Sequence, residues 1–279
     1  MVTKMKKHLF ITMVVMVLAL ALALFMFVSC EKPGDNENSS SGASLADGMT
    51  AKQLFLHASQ KRAEFKNYTS LISSNVTYTS TGISGDMTQT GTLKVEDGED
   101  GLRMSMTMTT SIDGMDQTLA YYYFDGFYYS DYFGAKMKVA MSNEEARIFF
   151  NNMAGSGGEV SLEGYKNIAK TKNQNGTWTV SGSADKIDGD SALLDDIIGN
   201  IGLTGDDISF GGMSFELVTS GGGDMLSNKT TFGFTANFGE VELDYQIEMI
   251  ETFKDIGTTS ADININTEEY QDYSDMSLE

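Results

Sequence analysis

One cysteine, Cys30, in 279 residues excludes an intrachain disulfide and any metal site built on paired thiolates. The single proline, Pro33, leaves the rest of the chain free of the residue that interrupts strands. Basic residues are scarce: 19 Lys and Arg stand against 39 Asp and Glu, a net charge of −20. A surface of that sign with no basic cluster repels phosphate backbones, which sets nucleic-acid binding aside. Beyond residue 29 there is one histidine, His57, which reads as a surface residue on a helix rather than a base. No Gly-x-Ser-x-Gly elbow occurs, and Ser183 and Lys186 have Ser-x-x-Lys spacing without the partner motifs of that hydrolase class. Asp185, Asp188 and Asp190 lack the glycine and terminal glutamate of a calcium loop, and the acidic turn at 96–101 reads as solvated. The expectation is a protein that is not an enzyme, with no metal and no cofactor.

What is present begins with a leader. Lys4, Lys6 and Lys7 precede a largely apolar run of 20 residues from Leu9 to Val28, which ends in Phe27-Val28-Ser29-Cys30 and switches at once to Glu31-Lys32-Pro33-Gly34-Asp35. The run is close to the ~20 residues that span a bilayer and longer than the ~7–15 of a signal-peptide core. A cleaved leader and an uncleaved anchor both place the body outside the cytoplasm, since the lysines stay inside. The ending resembles the lipobox of bacterial lipoproteins, with Phe27 a departure from the usual leucine. That resemblance implies a signal peptide over 1–29 and a Cys30 joined to diacylglycerol and acyl chains of the palmitate kind. The mature 250 residues would then carry 16 basic and 39 acidic side chains, a charge of −23. Residues 30–48, rich in Ser, Gly and acid, read as a flexible tether spanning roughly 20–25 Å. Residues 49–279 are ample for one domain.

The body reads as mainly β (α+β), with many Gly, Thr, Ser and Tyr. Thr50 with Gln53 forms a capping box opening a helix to about Lys66, whose inner side carries Leu54, Ala58 and Phe65. From Tyr68 the apolar period becomes two: Ile72, Val76 and Tyr78, then Met87, Gly91, Leu93 and Val95, then a stripe of Met104, Met106 and Met108. Asp125-Gly126, between Tyr121–Phe124 and Phe127–Tyr129, predicts a two-residue hairpin pairing 124 with 127, 123 with 128 and 122 with 129. Both faces of that hairpin are aromatic, so each requires cover or half-exposure of its rings. Ser142 with Glu145 predicts a second capping box, with Ala146, Phe149, Phe150 and Met153 facing inward. The glycine-rich stretch 155–158 reads as a linker, Asn175-Gly176 as a turn before Trp178 and Val180, and Ser191 as the start of a helix using Leu194, Ile197, Ile198 and Ile201. Among the last three strands, the apolar phase flips at Gly211-Gly212 and predicts a β-bulge. Phe232 and Phe234 alternate with polar residues, and Val241 to Met249 alternates with acids. The tail after Thr258 is weakly patterned, with one edge strand expected near Ile263–Ile265.

About eleven antiparallel strands behind a lipobox, with the hairpin Tyr121–Tyr129 followed by Gly134, Lys136 and Lys138, resemble the LolA/LppX-type half-barrel lipoproteins. The resemblance implies a strongly curved sheet with two or three short helices on its concave side, holding a lipid or other apolar guest. Candidate lining residues are Met104, Met106, Met108, Trp178, Phe232 and Phe234, with core filling as the competing role of the methionines. The implied partners are the membrane, through the acyl chains, and an apolar ligand. The alternative is a structural lipoprotein whose surface meets another envelope protein and which holds no small molecule.

Overall fold

The computed structural model describes residues 44–81, 83–99, 101–112, 114–132, 134–153, 162, 164–185, 208–238 and 241–274. Cys30, the apolar run, the 155–158 stretch, Asp188, Asp190, Lys186 and the Ser191 segment lie outside them. The described strands are β1 (Tyr68–Ser80), β2 (Ile83–Gly98), β3 (Gly101–Ile112), β4 (Met115–Phe124), β5 (Phe127–Tyr132), β6 (Ala135–Ala140), β7 (Lys166–Lys172), β8 (Trp178–Ala184), β9 (Ile208–Thr219), β10 (Met225–Phe238), β11 (Val241–Lys254) and β12 (Gln271–Asp272). They form one curved, open sheet in the order β12-β6-β5-β4-β3-β2-β1-β11-β10-β9-β8-β7. The β1–β6 and β7–β11 runs are two meanders that join where β1 pairs with β11. Helices α1 (Leu45–Gly48), α2 (Ala51–Ala63) and α3 (Asn143–Met153) complete the described fold, with a 3₁₀ turn at Thr267–Glu269.

The local signals act as their chemistry requires. Thr50 Oγ1 accepts from the Gln53 amide at 3.2 Å while Gln53 Oε1 accepts from the Thr50 amide at 2.9 Å. Ser142 and Glu145 repeat this exchange at α3. Helix α2 ends at Ala63, earlier than expected, so Phe65 lies past it and packs instead on Tyr68 and Phe253. Asp125 and Gly126 take φ of 52° and 77°, and the hairpin pairs Phe124 with Phe127, Tyr123 with Tyr128 and Tyr122 with Tyr129. Gly211 and Gly212 together oppose Gly233, between the pairs Phe232–Met213 and Phe234–Phe210. That is the bulge expected from the phase flip, and it bends β9. Leu45–Gly48, assigned by composition to the tether, form α1 behind an extended Ser44, and the helix docks by an Ala46 amide to Gly221 carbonyl bond of 3.1 Å.

An open sheet has two edges that invite pairing with other chains. At one, β7 carries Lys166, Lys170 and Lys172 and an irregularity between Lys166 and Ala169, with Asn167 at a φ of 54°. At the other, β6 is covered by β12, the only parallel pairing among the described residues. This corrects the expectation for the tail: Ile263–Ile265 forms no strand, and the edge strand lies at Gln271–Asp272. The reason is distance. The tail leaves β11 and is tied to the outer side of β1 and β2 through Thr259 to Thr69 (3.0 Å) and the Ala261 amide to Glu96 (2.9 Å). Getting from there past β6 means crossing several strand spacings of ~4.8 Å, which uses up the intervening residues.

Candidate functional site: the apolar inner face

Cross-strand register puts one residue set on a single side of the sheet. On β1 these are Tyr68, Ser70, Ile72, Ser74, Val76 and Tyr78, opposite Val95, Leu93, Gly91, Gln89, Met87 and Gly85 on β2. Met104, Met106 and Met108 continue the rows from Val95, Leu93 and Gly91 and lead to Tyr123, Tyr121 and Leu119 on β4. Gly91 has no side chain because the Met108 sulfur occupies that place. In the other direction Val76, Tyr78 and Ser74 face Ile247, Tyr245 and Met249, which face Phe232, Phe234 and Thr230 on β10.

All six candidate lining residues are buried on this side, but they fall into two groups. Met104, Met106, Met108 and Trp178 share one cluster with Leu54, Phe55 and Ala58 of α2 and Ala146 and Phe150 of α3. The indole of Trp178 is capped by the ammonium groups of Lys170 and Lys172, 4.4 and 5.2 Å from its ring centre. Phe232 and Phe234 lie outside that cluster, with Phe234 stacked on Tyr245 at 4.7 Å and Tyr245 tilted against Tyr78 at 6.2 Å. Val241, expected in this buried series, is exposed at the start of β11.

The hairpin's inner aromatic face is covered by α3, and its outer face is covered at Tyr129 while Tyr122, Phe124 and Phe127 stay half-buried. Tyr128 meets Phe149 edge-on at 4.9 Å and Phe150 at 6.3 Å, and Tyr123 donates to Asn143 Oδ1 at 2.6 Å. On the outer side Tyr270 from the tail stands edge-on to Tyr129 at 5.3 Å. Burial holds the phenols of Tyr128 and Tyr245 well above their ordinary pKa and pushes Tyr165 up to about 12. His57 is half-buried rather than a free surface residue: its ring lies against Gly223, and burial followed by Lys61 lowers its pKa.

The strand alternation also hides polar groups that the apolar pattern does not announce. Glu251 is 4% exposed, in phase with Met249 and Phe253, and its carboxylate accepts from Ser70 Oγ at 2.6 Å. Arg62 from α2 reaches it at 3.9 Å and lies over the rings of Tyr68 and Phe253 at 5.1 and 5.2 Å. Burial raises the Glu251 pKa, against the opposing effects of Arg62 and Ser70. The signal available in the sequence is an acid on the apolar phase of β11 and a serine on the apolar phase of β1. Four other buried atoms on the same side of the sheet, Ser74 Oγ, Gln89 Oε1, Trp178 Nε1 and Thr219 Oγ1, have no hydrogen-bond partner among the described residues.

The outer side is different. Among the described residues it carries open polar grooves of about 370 and 480 Å³, one lined by Ser181, Ser183, Ser214, Lys229 and Thr231, another by Thr77, Thr79, Gly211, Gly233 and Gln246. Among the described residues no group of three or more His, Cys, Asp or Glu is placed to hold a metal, and no helix is long and apolar enough to cross a membrane.

No family model matches the chain, and no curated protein matches it. Among solved structures it is similar to LprF from Mycobacterium bovis, at 13% identity and a TM-score of 0.35, over 81% of this chain and 98% of that one. It is also similar to a domain from Vibrio parahaemolyticus described as an outer membrane lipoprotein-sorting protein, at 9% identity and a TM-score of 0.22, over 77% of this chain and 95% of that one.

Proposed function

We propose that the chain is an extracytoplasmic lipoprotein, anchored to a membrane by acyl chains on Cys30, whose inner sheet face binds a lipid or another apolar ligand without chemistry of its own. The anchoring half rests on the leader, its lysines and the single cysteine. Metabolic labelling with a radioactive fatty acid tests it: the wild-type chain takes up label and Cys30→Ala takes up none. Equal labelling and equal membrane retention of the two would return the apolar run to a transmembrane anchor.

The observation that carries the binding half is the pairing of a wide apolar face with buried polar atoms that have no partner among the described residues. Native interiors leave few such atoms, because each costs ~1–3 kcal/mol. Binding sites for apolar molecules have this make-up: mostly hydrophobic walls with a few polar points that orient the guest. Gln89 Oε1 and Ser74 Oγ lie in directly paired residues between the methionine stripe and the Phe232–Phe234 group. Among the described residues, Gln89→Leu gives up only the long 3.4 Å bond from its amide nitrogen to Thr110 Oγ1, and is expected to stay within about 1 kcal/mol of the wild type in stability while weakening binding of a fluorescent fatty acid by about 5- to 10-fold. Unchanged affinity would assign the amide a structural role. Native mass spectrometry of protein purified without detergent completes the test, and a bare polypeptide mass with no saturable probe uptake would end the proposal.

One observation favours the interaction reading as well. Tyr122, Phe124 and Phe127 form a half-buried aromatic patch on the outer side, with Arg103 and Lys138 5.9 and 5.1 Å from the Phe124 and Phe127 rings.

A further inference from the structure

The β6 edge next to this patch is recognised by the tail in unusual detail for so short a strand. Lys136 pairs with Glu269 and its ammonium also lies 5.6 Å from the Tyr270 ring. Tyr270 caps Tyr129, Lys138 pairs with Asp272 at 3.2 Å, and Gln271 and Asp272 align with Met137 and Lys138. The Tyr273 amide donates to the Lys138 carbonyl at 3.0 Å, and Ser274 Oγ accepts from the Ala140 amide at 2.8 Å. Main-chain bonds supply attachment and side chains supply selection, which is the logic of strand addition to a sheet edge.

The hold is at the same time easy to give up. Both ion pairs are partly solvent-exposed, a class worth little each, and the parallel bridge is two residues long. Between Lys254 and Thr267 no helix or strand has to unfold for the tail to leave. A segment joined to its domain by such a stretch exchanges between copies at small cost, since the interactions it gives up in its own copy are remade in the other.

We propose that the β6 edge is a binding site for an extended acid–Tyr–x–acid segment, filled within one chain by Glu269–Asp272 and, between molecules, by the same segment of a second copy. The chemistry of the edge names this occupant: two lysines spaced one strand repeat apart, an aromatic cap and a backbone edge fit Glu269, Tyr270 and Asp272 and no basic or apolar strand. At low concentration the tethered tail wins, because its effective concentration is in the millimolar range, and exchange grows as copies crowd.

Reciprocal charge reversal in the full chain tests this. Lys136→Glu with Lys138→Glu repels its own acidic tail and leaves that tail free. Glu269→Lys with Asp272→Lys leaves the lysine edge free. Each variant alone is expected to stay monomeric, whereas a mixture forms a one-to-one dimer by native mass spectrometry and sedimentation. Carrying all four changes on one chain restores the monomer. A peptide of residues 266–274 is expected to bind the freed lysine edge about 10- to 30-fold more tightly than the acidic one and to dissolve the mixed dimer. Circular dichroism checks that each variant is folded, which these surface positions permit. Peptide binding without a mixed dimer would overturn the second copy as occupant. Failure of both, or equal peptide binding to the two edges, would overturn the site.

Discussion

Arg62→Ala is expected to lower the free energy of unfolding by about 3 kcal/mol at pH 7, measured by urea denaturation, and to do so less as the pH falls toward 4.5. The guanidinium is the cation beside Glu251, a carboxylate buried beneath α2 that also accepts a hydrogen bond from the Ser70 hydroxyl. Its removal leaves an ionised group in an apolar place. The penalty has a ceiling, because Glu251 escapes it by taking up a proton. From an ordinary value of 4.5, protonation at pH 7 costs at most about 3.4 kcal/mol, at about 1.36 kcal/mol per pH unit. Packing on the Tyr68 and Phe253 rings adds about 1 kcal/mol that does not depend on pH. The sign follows from the raised pKa. A carboxyl whose folded value exceeds its unfolded one is best tolerated below 4.5, and its cost grows as pH rises toward the folded value. Arg62→Ala raises the folded value further, so its cost widens from pH 4.5 upward. Adding Glu251→Gln recovers the pH-dependent part. A loss of the same size at pH 4.5 and 7 would show that Arg62 acts through packing alone.

This pair also marks where sequence reading stops. Arg62 and Glu251 are 189 positions apart, and nothing local to either predicts the other. Features set by adjacent residues are legible in advance: the Asp125-Gly126 turn fixes its register through two positive φ angles, the Gly211-Gly212 bulge follows from a phase change, and the two capping boxes from their spacing. The apolar phase of each strand is legible too, since side-chain period sets Met104, Met106 and Met108, and separately Phe232 and Phe234, apart from their polar neighbours, whereas their placement on one side comes from the cross-strand register. The division of that side is not legible. Which of those residues lie under α2 and α3 depends on how two meanders join through β1 and β11, a non-local event. The tail illustrates the same limit: Ile263 and Ile265 are the better strand formers, but the receiving edge is reached only at Gln271.

Phe150→Ala is expected to cost about 3–4 kcal/mol, the range for removing a large ring from a packed core. Phe150 is fully buried where α3 crosses the methionine stripe, edge-on to Phe149 at 5.6 Å and to Tyr128 at 6.3 Å. The helix has other holds, the Tyr123 hydroxyl on Asn143 and the Arg147–Asp97 pair, so it stays attached while its anchor is lost. What changes is the water around the hairpin. Tyr128 owes its raised pKa first to burial and then to Tyr121, so opening the space beside it brings the phenol back toward 10. A tyrosine with a raised folded pKa contributes stability that is fully present below pH 10 and lost as pH rises toward the folded value. In Phe150→Ala that contribution is smaller, so stability falls less steeply above pH 10 than in the wild type. Ultraviolet titration, with Tyr128→Phe subtracted to isolate the one phenol, reads the shift directly. Phe150→Leu, which keeps most of the volume, is expected to cost under about 1.5 kcal/mol and to leave the Tyr128 titration in place. A Tyr128 titration unmoved in Phe150→Ala would mean that Phe149 alone shields the hairpin, and that Phe150 serves α3 rather than the aromatic face.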